Sequence, residues 1–488
     1  MSTNNVAAAA KGSTKSYYPW VVVGLLWVVA LLNYMDRQML STMRDAMAVD
    51  IADLESKVMF GKIMAVFMWI YGFMSPVSGI VADRVNRKWL IVVSLVVWSG
   101  VTLAMGYAQS YEQVYWLRAT MGVSEALYIP AALSLIADYF TGKQLSLAIG
   151  IHMTGLYMGQ AVGGFGAFVA EHLSWQQTFH WFGIIGIVYG FILVFFLHEK
   201  RVDSFEGRNA AEEAAEGHPE PLGTVLKRNL RATGASLGAL VVNIAFWTIL
   251  FFFATSSVPG WATKNWLPTL FADSLGIEMT WAGPVATITI AVASFIGVMV
   301  GGPMADNWSR RNLRGRIYTS SIGLAMMVPA LVLMGYGHTL VAAVSAGLLF
   351  GLGYGLFDAN NMPILCQFVS ARSRATAYGM MNMCGLFVGA LATNVLGSLA
   401  DQGRMGIGFV CMARRPRARS SGPAYHPPSH HSQQRIKNQP IIHHNGNETF
   451  AYRESRSRSR CFQRFGRDTH VDALSRHLTR RFTYRLLL

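Results

Sequence analysis

Charged side chains inside long apolar segments are the residues of this sequence best suited to chemistry. Asp36 and Arg37 stand at the end of the first apolar segment, and Arg118 and Glu125 stand within the fourth. A charge inside a membrane is costly, and such residues mark functional sites by default. Helical residues seven apart lie on one face, so Arg118 and Glu125 are expected to share a face, two turns apart.

These four side chains could form a neutral cluster between two helices. Burial favours the neutral form of a carboxylic acid, whereas an arginine keeps its charge and can bind a carboxylate through two parallel hydrogen bonds. Protonation of Asp36 or Glu125 would therefore change the charge that a bound anion meets. This chemistry is typical of a proton-coupled carrier.

Composition indicates a membrane protein. Of the 488 residues, 52% are hydrophobic and 14% are charged, whereas soluble domains carry about 25% charged residues. Repeated apolar runs of membrane-spanning length explain the difference. The net charge of +15 is concentrated in residues 412–488, which hold 16 Lys or Arg against 4 Asp or Glu. Nucleic acid is therefore not expected as a partner.

The apolar runs divide the chain into two sets joined by a polar stretch. We expect a cytoplasmic N-terminus at 1–19, a six-helix half at 20–197, a cytoplasmic linker at 198–238, a five-helix half at 239–408 and a basic, disordered tail at 409–488. The predicted spans are 20–35, 58–80, 89–107, 113–137, 145–170 and 178–197, then 239–259, 282–304, 316–335, 339–358 and 374–399. Arginine and lysine in the short loops place the N-terminus and linker in the cytoplasm.

A polar hairpin occurs once in each half. The first copy reads GIVADRVNRK from Gly79, and the second reads GPMADNWSRR from Gly302. This pair resembles the signature loop of the major facilitator superfamily of secondary transporters, and the second copy departs from it by lacking Arg after Asp. The resemblance implies a cytoplasmic gating loop formed by Gly79, Asp83, Arg84, Arg87, Lys88, Gly302, Asp306, Arg310 and Arg311. It also implies two six-helix halves that rock around a substrate at the bilayer midplane.

The last helix of the second half is missing from the sequence. The halves align at an offset of 230 residues up to Asp401, which predicts a twelfth helix near 409–427. That segment instead contains four arginines and Pro416, and each arginine at mid-membrane costs about 3 kcal/mol. The alternatives are a natural basic tail that binds anionic lipid and a shifted reading frame. The abrupt end of the repeat favours the frame shift, and reading the genomic sequence through codon 405 would decide.

The charges of the first and fourth spans resemble those of the anion:cation symporter branch, which carries sugar acids and other organic anions with protons. The resemblance implies substrate contacts from Tyr34, Arg37, Tyr71, Gln160 and Asn382, and proton coupling by Asp36, Arg118 and Glu125, with Arg118 paired to the carboxylates. The closest rival is a spinster-type lipid or lysolipid carrier. A third alternative is a truncated membrane protein without transport activity.

Each site residue also has a structural interpretation. Asp36 and Arg37 could be a helix-end pair at the membrane surface, and Arg118 and Glu125 could be a structural ion pair. Tyr71, Gln160 and Asn382 could join helices by hydrogen bonds, and Asp358 could cap the tenth span. No nucleotide motif, metal-ligand spacing or nucleophile–base set is visible in the sequence. We therefore expect no cofactor or metal, no enzyme activity, and a monomer in the inner or plasma membrane driven by protons or another cation.

Overall fold

The computed structural model describes residues 17–82, 85–140, 142–199, 242, 244–312, 314–369 and 374–413. Every regular element within these ranges is a helix, in agreement with the predicted all-α class. Nine of the helical segments in the described part are long and apolar enough to cross a membrane.

The first half begins and ends at the same face of the bundle. Its helices are α1 (Tyr18–Ala48), α2 (Lys57–Ala82), α3 (Arg87–Met105), α4 (Tyr111–Ala126), α5 (Tyr128–Tyr139), α6 (Gly142–Gly163), α7 (Gly166–Leu173) and α8 (Trp175–Phe196). The Tyr18 hydroxyl donates to the Phe196 carbonyl at 2.8 Å. We call this side, where α1 begins, the N-terminal face.

The second half repeats this pattern, and nine residues of its last helix are described. Its helices are α9 (Ile244–Leu275), α10 (Met279–Arg311), α11 (Gly315–Tyr336), α12 (Leu340–Asp358), α13 (Asn361–Phe368), α14 (Arg374–Asp401) and α15 (Met405–Ala413). The nine-residue α15 packs on α11, where a β-carbon on Gly406 would lie 2.5 Å from the Gly335 carbonyl oxygen. This helix runs past residue 408, so the predicted start of the tail at 409 falls inside it, and residues 414–488 lie outside the described part.

Two helices are longer than the sequence predicted. The first span was expected to end at residue 35, but α1 continues to Ala48 because Asp36 and Arg44 are buried against protein and not exposed to lipid. The seventh span was expected to end at 259, but α9 continues through Pro259 and Pro268. Lys264 therefore lies inside a helix, whereas the predicted spans 239–259 and 282–304 had left it in a loop.

Glycines set the distance between neighbouring helices within the first half. A β-carbon on Gly155 of α6 would lie 2.6 Å from the carbonyl oxygen of Trp27 on α1, and one on Gly163 would lie 2.7 Å from that of Met35. Such contacts require glycine, since the two backbones touch directly. Glycines at four-residue spacing therefore form a close-packing face of α6 against α1.

The two halves pack together most extensively through α2 and α14. A β-carbon on Gly61 would lie 3.3 Å from the Thr393 carbonyl oxygen near one end, and one on Gly379 would lie 3.2 Å from Pro76 near the other. Helices α6 and α10 meet at Gly164 and Thr287.

Polar contacts also join the halves at the side opposite the N-terminal face. There, Lys57 Nζ bonds Asp273 at 2.7 Å, and Asp401 accepts hydrogen bonds from the backbone N–H groups of Lys57 at 2.6 Å and Val58 at 3.2 Å. The Thr280 hydroxyl donates to Glu171 at 3.3 Å. We call this side the closed face.

Candidate functional site

An ion pair between α1 and α4 forms the centre of the site. Arg37 Nε donates to Glu125 Oε2 at 2.5 Å, with the Arg37 side chain 11% exposed and the Glu125 side chain fully buried. Burial of both charges makes the pair strongly interdependent, since removing one partner would leave the other unpaired in a low-dielectric interior. The interpretation of Asp36 and Arg37 as a helix-end pair at the membrane surface is therefore wrong.

The position of Glu125 follows from a break in the fourth span. Pro130 has no N–H to donate to the carbonyl of Ala126, four residues earlier, and this missing hydrogen bond favours a break in the helix at this point. Helix α4 accordingly ends at Ala126, and α5 begins at Tyr128. Glu125 thus occupies the last turn of α4, facing α1.

Aromatic rings surround the Arg37 guanidinium. Its Cζ lies 5.0 Å from the ring centre of Tyr34, 4.9 Å from that of Phe67 and 4.7 Å from that of Tyr71. Rings at these distances attract a cation through their π-electrons, more strongly when water is excluded. They fix the guanidinium while leaving Nη2 without a hydrogen-bond partner among the described residues. Arg37 therefore retains a donor for a further acceptor.

Arg118 does not form the predicted ion pair with a carboxylate. Its Nη1 lies 2.9 Å from Met121 Sδ, and its Cζ lies 4.5 Å from the Phe67 ring centre. Within the described residues, no carboxylate comes within 4.0 Å of it. Seven residues of helix separate Arg118 from Glu125 by about 10 Å along the axis, so the closer partner of Glu125 comes from another helix.

Asp36 points away from Arg37, towards α3. Its Oδ2 accepts a hydrogen bond from the Thr102 hydroxyl at 3.2 Å, and the residue is 6% exposed. Asn33, one turn earlier on α1, is fully buried next to Glu125. The predicted coupling residues are thus all buried, and among the described contacts it is Glu125 that pairs with Arg37.

The two remaining predicted contacts lie on α6 and α14. Gln160 is buried in α6. Asn382 Nδ2 donates to the Ser75 hydroxyl at 2.9 Å, which links α14 to α2. This bond fits the alternative role of Asn382 as a polar link between helices.

The second half supplies two charges that the sequence analysis did not assign to the site. Lys264 Nζ on α9 lies 5.0 Å from the ring centres of both Trp261 and Tyr354. Asp358, at the end of α12, is exposed to solvent. It accepts from Asn361 at 3.1 Å. An ionisable residue within an apolar segment was the available signal for both.

The hairpin residues hold the N-terminal face of each half. In the first copy, the Arg87 side chain pairs with Asp138, and the Arg87 backbone N–H donates to Glu199 at 3.2 Å. Lys88 Nζ donates to the Val194 carbonyl at 2.8 Å. Asp83 and Arg84 lie outside the described residues.

The second copy pairs inside its own half. Asp306 pairs with Arg316, and Arg310 and Arg311 occupy the last turn of α10, where cations offset the negative end of the helix dipole. No β-carbon contact within 4 Å restricts Gly79 or Gly302.

The relatives found among known proteins are named as transporters of sugar acids. The chain is 25% identical over 349 residues to a probable galactarate/D-glucarate transporter of Escherichia coli K12, covering 67% of this chain and 73% of that protein. It is 24% identical over 388 residues to the hexuronate transporter of Bacillus subtilis 168, covering 78% and 88%. The predicted likeness to the anion:cation symporter branch is confirmed, and these relatives are transporters, not enzymes.

Solved structures share the fold. A bacterial homologue of the human lysosomal transporter Spinster, in an inward-facing and unoccupied conformation, has a TM-score of 0.63 at 20% identity, covering 80% of this chain and 84% of that one. The nucleoside transporter NupG has a TM-score of 0.61 at 15% identity, covering 80% and 96%.

A family profile agrees with both comparisons. The profile described as Major Facilitator Superfamily matches residues 26–393, which is most of the chain and includes both halves. The protein is thus an integral, multi-pass membrane protein of the transporter class, and it belongs to the Major Facilitator Superfamily.

Proposed function

We propose that this chain carries a small organic anion across the membrane together with a proton, by alternating access. The observation that carries the proposal is the buried Arg37–Glu125 pair, with Arg37 in contact with an aromatic wall formed by Tyr34, which is partly exposed, and Tyr71, which is buried. The names of the relatives, which are transporters of hexuronate and of galactarate or D-glucarate, support a sugar acid or another carboxylate as the substrate.

Coupling follows from the competition of two carboxylates for one guanidinium. While Glu125 is charged, it neutralises Arg37 at 2.5 Å. When Glu125 takes a proton, Arg37 keeps its charge and is free to bind the substrate carboxylate, with Tyr34 and Tyr71 beside it. Proton and anion then enter the site together. Asp36 and Arg118 form a second layer that adjusts the charge around Glu125.

Alternating access is supported by where the halves meet. Direct polar contacts close the side that carries Lys57, Asp273 and Asp401, while α6 and α10 meet near that same side at Gly164 and Thr287. We infer that this conformation opens towards the N-terminal face. Arg87, Lys88, Arg310 and Arg311 lie on that face, and the positive-inside rule makes it cytoplasmic, in the inner or plasma membrane and with the protein as a monomer.

Uptake of a labelled hexuronate or aldonate, with and without a proton gradient, tests the proposal. We expect concentrative uptake that requires the gradient, and we expect Glu125→Gln to abolish accumulation because its amide cannot release or take up the proton. Glu112→Gln is the matched control, since Glu112 is exposed at the start of the same helix. Accumulation by Glu125→Gln equal to that of the unaltered chain would refute the coupling scheme.

A spinster-type lipid carrier is the second candidate, because a Spinster homologue shares the fold. At 20% identity this likeness concerns the fold alone. Six ionisable side chains around the inner site argue against an apolar cargo, since an apolar molecule offers no hydrogen-bond partner to the polar atoms it would desolvate, such as Arg37 Nη2. Competition of sugar-acid uptake by a lysolipid, with no competition by other carboxylates, would favour the lipid carrier. A truncated protein without transport activity would show no uptake of either.

A further inference from the structure

A groove on the outer surface of the second half lies where α10 ends and α11 begins, at the N-terminal face. Its volume is about 480 Å³, and its lining includes Trp308, Arg311, Tyr318, Ile322 and Ala325. The three α11 residues of this set share one helix face, and seven residues of helix carry the groove about 10 Å along the axis. The Trp308, Tyr318 and Ile322 side chains are between 39% and 45% exposed. The groove is therefore apolar along α11 and carries a cation at its N-terminal end.

Arg311 brings a positive charge to this groove that the described part of the chain does not neutralise. Among the described residues, no carboxylate lies within 4.0 Å of the Arg311 guanidinium. Asp306, the acid of the same hairpin, is paired with Arg316. Arg310 also has no carboxylate within 4.0 Å in the described ranges, but it does not line the groove. Of these two neighbouring arginines, Arg311 is the one that presents its charge to the groove.

The first hairpin satisfies the corresponding cation with a protein group. When the two hairpins are aligned, Lys88 takes the position of Arg311. Lys88 Nζ donates to the Val194 carbonyl in the last turn of α8 at 2.8 Å. The first half thus uses its lysine to join two helices, whereas the second half presents a guanidinium to an open groove.

The surroundings of the groove indicate what covers it. The chain crosses a membrane, so an outward-facing apolar groove is in contact with lipid. Trp and Tyr are enriched at the depth of the lipid headgroups, which places Trp308 and Tyr318 beside that layer. A guanidinium binds a phosphate through two parallel hydrogen bonds, and basic pockets between membrane helices bind anionic headgroups.

Charge argues against the two other available occupants. The sequence that follows α15 contains four arginines in residues 414–419, and it would add positive charge beside Arg311. A second copy of the chain packed groove to groove would bring two Arg311 side chains together, because such an interface uses the same surface of both copies. An anionic lipid complements the groove in both its charge and its apolar length.

We propose that this groove binds one anionic phospholipid, with the phosphate on Arg311 and an acyl chain along Tyr318, Ile322 and Ala325. The inference goes beyond the proposed function, because this lipid stays on the outer surface of the protein and is not its cargo. A ligand that binds only the folded chain stabilises it. The bound lipid therefore stabilises the junction between α10 and α11.

Native mass spectrometry of the purified full-length chain tests the inference without requiring transport. The chain is titrated with phosphatidylglycerol or with phosphatidylcholine of the same acyl chains, in which choline balances the phosphate charge. We expect the unaltered chain to bind phosphatidylglycerol about tenfold or more tightly than phosphatidylcholine. Arg311→Gln should weaken the tightest phosphatidylglycerol site about tenfold, the value of one charge-assisted hydrogen bond. Equal affinity of the unaltered chain for the two lipids would overturn the inference.

Arg310→Gln is the matched control, because it removes the same charge from the neighbouring position, outside the groove. It should weaken phosphatidylglycerol binding less than about threefold. Equal losses in Arg310→Gln and Arg311→Gln would show that the net charge of the turn attracts lipid without a defined site, and would overturn the inference. Thermal unfolding in lipid-free detergent should show the same melting temperature for both variants and the unaltered chain, since both arginines are exposed.

Ala325→Phe tests the apolar part of the groove. Ala325 is exposed, so a larger side chain there fills the groove without disturbing the interior, and we expect phosphatidylglycerol binding to weaken severalfold. A dimer of the unaltered chain that Ala325→Phe dissociates would assign the groove to a second copy and overturn the inference. Displacement of the lipid by glycerol phosphate, which has no acyl chains, would assign the site to a soluble phosphate compound and would also overturn it.

Discussion

The two halves share one fold but hold their buried charges in opposite ways. In the first half, Arg37 and Glu125 touch at 2.5 Å, and the carboxylate has no exposed surface. In the second half, Lys264 and Asp358 lie more than 4.0 Å apart, and Asp358 is open to solvent. The buried Arg37–Glu125 pair can open only when one member exchanges a proton or a partner. The separated charges of Lys264 and Asp358 can bind a ligand without first breaking an ion pair. The difference suggests that proton exchange belongs to the first half and ligand discrimination to the second.

Loss of Arg37 should produce the largest effect, because Arg37 both pairs with Glu125 and is the proposed contact of the substrate carboxylate. Arg37→Gln leaves Glu125 buried without its cation, which costs about 3–5 kcal/mol, and removes the carboxylate contact. We expect the affinity for an aldonate to fall by more than about 100-fold. Equilibrium binding to the purified full-length chain measures this loss.

Arg37→Lys controls for misfolding, because lysine keeps the positive charge but lacks the planar guanidinium that can bind a carboxylate through two hydrogen bonds. It should retain the melting temperature of the unaltered chain in detergent and part of the affinity. Aldonate binding by Arg37→Gln close to that of the unaltered chain would break the proposed division between the halves.

The two halves also differ in sequence at their last helix. Within the described residues α15 has nine residues, whereas α8 has 22, and the sequence after Ala413 continues with four arginines and Pro416. We expect a chain whose last helix is restored by a sequence of membrane-spanning length to accumulate severalfold more in the membrane, since a change of about 1–2 kcal/mol in stability alters abundance by such factors. Quantitative immunoblotting of membrane fractions measures this. Normal abundance and proton-driven uptake by the chain as it stands would contradict the expectation.

Asp401 tests the contacts that join the halves at the closed face. It accepts hydrogen bonds from two backbone N–H groups at the start of α2, so Asp401→Ala should cost about 1 kcal/mol, as the loss of a helix cap does. The population open at that face should rise about fivefold. In a chain otherwise lacking cysteine, the rate of thiol labelling at Thr287→Cys, a site 3% exposed between the halves, reports this opening.

Asp50→Asn provides the control for that experiment, because Asp50 bonds Trp175 within the first half and does not cross between the halves. It should leave the labelling rate unchanged. An equal acceleration by both variants would show that the closed face loosens generally and that Asp401 has no special role.

Tyr71 should show the smallest effect and refine the role of the aromatic wall. Its ring centre lies 4.7 Å from the Arg37 guanidinium carbon, so Tyr71→Phe keeps the contact and should change aldonate affinity less than about threefold. Tyr71→Leu removes the ring and should cost between about threefold and thirtyfold. A larger loss of aldonate affinity in Tyr71→Phe than in Tyr71→Leu would show that the hydroxyl group, not the ring, contributes to binding.

Apolar length and internal repetition predicted the helices, and charge within apolar segments predicted four members of the site. What failed was the assignment of individual partners between distant segments. The pairing of Glu125 with Arg37 rather than Arg118 depends on how α1 packs on α4. Lys264 was missed because Pro259 favours a helix end in the sequence, whereas α9 continues through it. Neighbouring helices can stabilise a proline-containing helix within a membrane. The local sequence does not show which helices will be neighbours.

The end of α4 at Ala126 has one further consequence for Glu125. Peptide carbonyls at the last turn of a helix carry a net partial negative charge, which disfavours the carboxylate form of Glu125, whereas the paired Arg37 favours it. A tilt of α1 against α4 that separates Arg37 from Glu125 would therefore favour uptake of a proton by this carboxyl group.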